Sequence, residues 1–86
     1  MRPYRTVFNR QVLDFVAAAD DDTFVEIERW VNRIERMPAT PGDYTEEDED
    51  HRELQVVVLQ RVAIAYWPDD AVREVRVVRI EANLKN

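Results

Sequence analysis

Three runs rich in Val and Ile, Leu54–Leu59, Val62–Trp67 and Val72–Ile80, dominate the second half of this chain. Their apolar residues occupy both alternation phases, Leu54, Val56 and Val58 against Val57 and Leu59. Strands of that kind are covered, at least in part, on both faces. Gln60-Arg61 and Pro68-Asp69-Asp70 are the turns between them, although Arg61 also suits the start of a strand. Connections this short join antiparallel neighbours.

Such a sheet needs a second layer, and the first half of the chain supplies it. Ile27, Trp30, Val31, Ile34 and Met37 recur at helical spacing, with Glu28, Arg29, Asn32, Arg33 and Glu35 on the other side. Thr23 and Glu26 read as a capping box at the start of this helix, and Pro38 stops it before a Pro41-Gly42 turn. An earlier helix is expected over Arg10–Ala19, with Asn9 as its cap and Val12, Leu13, Val16 and Ala19 as its stripe. Asp20-Asp21-Asp22 separates the two, so they form a hairpin. Arg2–Phe8 reads as a short first strand, confined by Pro3 to a sheet edge or a strand start. The expected fold is α+β, in the order β-α-α-β-β-β, with a helical hairpin packed on an antiparallel sheet. At 86 residues it is a single domain spanning 1–86.

Charge is distributed unevenly. Residues 43–53 hold seven acids and one base, which accounts for the whole net charge of −6. The rest is neutral, and every base except Lys85 is an arginine. The run Glu46-Glu47-Asp48-Glu49-Asp50 lacks the central glycine and flanking helices of a calcium loop, so it reads as a solvated loop. Beside an arginine-bearing sheet it has a second use: carboxylates that mimic phosphate, masking that face or docking a basic partner.

Several chemistries are excluded. With no cysteine there is no disulfide framework, thiolate metal site or cysteine nucleophile. A single glycine leaves no phosphate loop, and no two-histidine metal arrangement or Ser-His-Asp set is present, so no cofactor or metal is expected. No stretch approaches a membrane span, and neither a secretory signal nor a lipidation motif is visible, so a cytoplasmic protein without membrane partners is expected.

The order of elements resembles the RelE/ParE superfamily of small bacterial toxins. The sharper likeness is to a little-characterised branch of it. It rests on Gly42-Asp43-Tyr44, on His51-Arg52-Glu53-Leu54-Gln55-Val56, and on Arg61-Val62-Ala63-Ile64-Ala65-Tyr66-Trp67-Pro68-Asp69-Asp70-Ala71-Val72-Arg73-Glu74-Val75. The chain departs from the pattern at His51, where glycine is usual, and at Asp70, where histidine is usual. The resemblance implies a toxin-like component of a type II toxin–antitoxin system, of the kind associated with plasmid stabilisation. A cognate antitoxin is then the expected partner, and the target is mRNA on the ribosome or DNA gyrase. The rival reading is a non-catalytic binding module or homodimer that has kept the scaffold and lost ribonuclease activity.

If the chain is an mRNA endoribonuclease, it needs a base, an acid and cations on the scissile phosphate. The sheet offers Arg52, Arg61, Tyr66, Arg73, Arg76 and Arg79. Arg61 and Arg79 match by position the basic residues of RelE-like proteins, which implies phosphate contacts for them and a place near the scissile nucleotide for Tyr66. Arg52 and His51 are candidates for RNA or partner contact. Arginine stabilises charge but carries protons poorly, and flanking arginines also serve simply to solvate a sheet face. Strict alternation puts Arg73, Val75, Val77 and Arg79 on one face, and Val72, Glu74, Arg76, Val78 and Ile80 on the other. Of the adjacent aromatics, Tyr66 and Trp67, one ring goes to the core and one to the opposite face; Trp30 belongs to the core.

Overall fold

The computed structural model describes residues 3–84. Strand β1 (Arg5–Phe8) leads into helices α1 (Arg10–Ala18) and α2 (Asp21–Arg36), and then into β2 (Tyr44–Glu47), β3 (Glu53–Val58), β4 (Val62–Asp69) and β5 (Glu74–Ala82). The sheet runs β1-β5-β4-β3-β2, antiparallel throughout except that β1 lies parallel to β5. The α+β fold with a helical hairpin on the sheet is as expected. It differs by one further strand, β2, and by one parallel pair. The first strand is shorter than expected, and Arg2 lies outside the described residues.

Helix α2 does not start at a Thr23 capping box. Asp20 is its cap, with the carboxylate accepting from Thr23 N at 2.9 Å, and Asp21 and Asp22 sit in the first turn. Three successive carboxylates are well placed there because unpaired N–H groups and the helix dipole both favour negative charge. Arg33 and Arg36 complement the other end, before Met37 and Pro38 close it.

One face of the sheet carries the main core. Val12, Ile27, Trp30 and Ile34 from the helices meet Val62, Ile64, Tyr66, Val75, Val77 and Ile80 from β4 and β5. Trp30 and Tyr66 meet edge to face, with ring centroids 5.0 Å apart, and the Tyr66 hydroxyl donates to the Thr40 carbonyl at 2.9 Å. The opposite face has a smaller cluster of Leu54, Val56 and Ala65, flanked by Trp67 and Val78. Both phases of β3 and β4 are therefore covered.

Strict alternation fails along β5. Ala65 pairs with Arg79 but Tyr66 pairs with Val77, so Val78 is an extra residue in a bulge. Beyond it the faces exchange. Ile80 joins Val75 and Val77 in the core, and Arg79 moves to the opposite face. The bulge is tied to a helix cap: Asn9 Oδ1 accepts from Val12 N at 2.9 Å while its Nδ2 donates to the Val78 carbonyl at 3.0 Å.

The expected acidic loop is half strand. Glu46 pairs with Leu54 and Glu47 with Glu53, and a tight turn follows. Asp48 organises that turn, its carboxylate accepting from the backbone N–H of Asp50 and of Arg52 at 2.9 and 2.8 Å. Gly42 lets the chain enter β2 close beneath β3. A Cβ there would lie 2.5 Å from the Val56 carbonyl oxygen.

Two stability measurements follow from these contacts. Asn9→Ala removes both the cap and the bulge contact and should cost about 2 kcal/mol in urea unfolding, whereas Asn9→Ser keeps the cap alone and should cost about half as much. Gly42→Ala should cost about 2 kcal/mol through the backbone clash, with amide exchange accelerated first in Tyr44–Glu47.

Candidate functional site

The sheet face turned away from the helices carries an arginine cluster around Trp67. The β4–β5 register sets Arg76 opposite Trp67 and Arg79 opposite Ala65. Arg52, at the end of the β2–β3 turn, places its guanidinium 4.2 Å from the Trp67 ring centroid, and that of Arg76 is 5.9 Å away. Cation–aromatic contact of this kind holds the ring against two planar charges.

Each of these arginines already has a carboxylate. Arg79 Nη2 donates to both oxygens of Glu46, at 2.8 and 3.0 Å, and its Nε to Glu81 at 2.9 Å. Arg76 bonds Asp69 at 3.1 Å and Glu74 at 3.0 Å, and Arg52 lies 3.5 Å from Asp48. Three guanidinium groups thus face five carboxylates. The hydrogen bond to Glu46 holds the Arg79 pKa above its ordinary value, against a smaller opposing effect of desolvation. The group is a permanent cation, and an incoming phosphate must displace a carboxylate to reach it.

The three residues expected to act together are apart. Tyr66 is 1% exposed in the main core, so its hydroxyl does not reach a nucleotide outside. Burial, with the nearby Asp43 charge as a smaller cause, raises its pKa above the phenol value of 10.0, which keeps it protonated at neutral pH. Arg79 neighbours Ala65 on the opposite face. Arg61 sits at the β3–β4 turn beside α2, its N–H donating to Glu26 at 2.8 Å and its guanidinium 3.6 Å from Asp22. Of the expected contact residues, Arg52 joins the Trp67 cluster. His51 is exposed at a left-handed turn position (φ 63°), 3.0 Å from Glu47. Among the described residues no group of three or more metal-ligating side chains converges.

Sequence reasoning missed Glu46 as the partner of Arg79, because nothing in an acidic run marks which carboxylate will face a sheet. It also passed over Arg29 and Arg33, whose four-residue spacing on α2 was the available signal.

The raised Tyr66 pKa has a definite consequence. It contributes stability below the unfolded-state value near 10, and that contribution is lost as pH rises through the folded-state value. Phenolate absorbance should therefore show an ionisation above pH 10 that accompanies unfolding and is lost in Tyr66→Phe, while that of Tyr4, raised by its hydrogen bond to Asp70, remains.

No family model matches the chain, and no curated protein sequence does. Among solved structures it is similar to a chain of the toxin–antitoxin complex RelBE2 from Mycobacterium tuberculosis, with a TM-score of 0.73 and 12% sequence identity over 95% of this chain and 100% of that one. This protein thus shares its α+β fold, two helices on a five-stranded sheet, with a component of that toxin–antitoxin complex.

Proposed function

We propose that this chain is the toxin-like member of a bacterial type II toxin–antitoxin pair, and that it acts by binding rather than by cutting RNA. The observation that carries the reading is the Arg79–Glu46 pair. This cation of the open sheet face is held by the chain's own carboxylates, Glu46 and Glu81. Sharing a fold with a component of the RelBE2 complex supports a protein partner of the antitoxin kind.

An endoribonuclease needs its base, acid and phosphate cations around one bond. Arg61, Arg79 and Tyr66 lie at a turn, on the open face and in the core, which weighs against that activity. His51 is bonded to Glu47, the residue next to the Glu46 that holds Arg79, so both ring and guanidinium already have carboxylate partners. A docking surface needs no acid–base pair, so an antitoxin, the gyrase or a second copy of the chain suits the face better than a scissile phosphate does. Arg52 and Trp67 form its centre, and Glu46 acts as an internal stand-in for phosphate.

The masking is measurable. Binding of a fluorescein-labelled single-stranded RNA at low salt should tighten about fivefold in Glu46→Gln, as expected from about 1 kcal/mol for a partly exposed ion pair. The gain should vanish in Glu46→Gln with Arg79→Ala. Cleavage of mRNA on purified translating ribosomes by the wild-type chain, lost in Arg61→Ala, would overturn the binding reading. Growth arrest on induction of the chain alone, without such cleavage and relieved by Arg79→Ala, would support it.

A further inference from the structure

A second surface, on the helix side of the sheet, is charged differently. Along one flank of α2 run Asp22, Val25, Glu26, Arg29 and Arg33, and the β3–β4 turn closes a groove of about 370 Å³ against them with Leu59 and Arg61. The two acids are engaged, Glu26 by the Arg61 N–H and Asp22 by its guanidinium. Among the described residues, neither Arg29 nor Arg33 has an ion pair. This is the reverse of the open face, where every arginine of the cluster has a carboxylate.

Past Arg33 the groove runs into a smaller apolar notch of about 100 Å³, with Trp30, Ile34, Val57 and Leu59 in its walls. Arg33 and Leu59 line both, so basic groove and apolar notch are one continuous channel. Trp30 and Ile34, only 3% and 2% exposed, form part of its floor.

We infer that this channel takes an acidic segment of a partner polypeptide, with carboxylates on Arg29 and Arg33 and one aliphatic side chain in the notch. The spacing fits. Residues four apart on a helix rise about 6 Å, and alternate residues of an extended peptide are about 6.8 Å apart. A segment of the form acid-x-acid-x-aliphatic matches both arginines and the notch in order. A nucleic acid has no aliphatic anchor, and the nearly buried Trp30 ring offers no free face for base stacking. Asp22 and Glu26 at the rim would also oppose a continuous row of phosphates. Most of the chain's excess acid, Glu46–Glu53, lies towards the other end of β3, a six-residue strand about 20 Å long, while Asp43 stays at the near end with its carboxylate taken up by the Val58 N–H at 2.6 Å.

The inference rests on the reading that this chain works with a protein partner, and the test keeps the two apart. The probe is the peptide Glu-Ser-Glu-Ser-Leu-Ser, titrated into the full chain labelled with nitrogen-15. The two indole N–H signals, assigned with Trp30→Phe and Trp67→Phe, report the two faces separately. The Trp30 signal should move and that of Trp67 should stay. Arg29→Glu with Arg33→Glu should weaken binding at least tenfold while amide spectra retain the fold, and a glutamine-for-glutamate peptide should lose a comparable factor. Movement of Trp67 alone, or of neither indole at saturating peptide, overturns the assignment. So does a short single-stranded RNA that moves Trp30 more strongly than the peptide does. A protein partner that co-purifies equally with the wild type and the double variant overturns the channel but leaves the partner reading standing.

Discussion

The extra residue at Val78 decides which side chains this sheet buries and which it presents. Before it, β5 sends Val75 and Val77 beneath the helices and Arg76 to the open face. After it, the phase reverses, so Ile80 seals the core and Arg79 emerges beside Arg76. Without the bulge a guanidinium would point into the apolar layer and an isoleucine into water, each at substantial cost. A bulge leaves backbone groups off the ladder, and here the carbonyl of the extra residue accepts from Asn9. The same amide caps α1. One short side chain thus fixes the start of the helical layer and the inversion of the sheet it lies on.

The acidic run is structural for the same reason. Glu46 is drawn to Arg79 because pairing of β2 with β3 turns it onto the open face, and Asp48 is consumed by the turn that makes the pairing possible. Individually these exposed pairs stabilise little. Together they determine what the face accepts, since any anion must compete with a carboxylate already seated at hydrogen-bonding distance.

Much of this was legible in the sequence. The α2 stripe and the three Val-rich strands follow from periodicities strong enough to survive any tertiary context, and the split of Tyr66 and Trp67 between two faces follows from alternation alone. The rest depended on contacts distant in sequence. Tyr44–Glu47 has no apolar alternation and becomes a strand because β3 offers it an edge. The parallel pairing of β1 with β5 joins residues about 70 positions apart. The bulge leaves no mark in a run as uniform as Val75–Ile80, so strict alternation groups Arg79 with Val75 and Val77 whereas the structure turns it to the other face. Tyr66 looked available because an aromatic followed by tryptophan on a strand does not announce which ring lies under Trp30.

The two arginine surfaces differ in what an approaching anion must undo. On the open face, binding breaks an existing bidentate contact and strands Glu46 beside the incoming charge, so the gain is a difference between two similar terms. In the α2 channel, Arg29 and Arg33 exchange only water, and the adjoining notch adds apolar burial that the open face lacks. Guanidinium groups of equal charge are therefore unequal binders. The unpaired ones beside an apolar notch are the first to be occupied, and the paired ones respond only to a ligand able to outcompete a carboxylate.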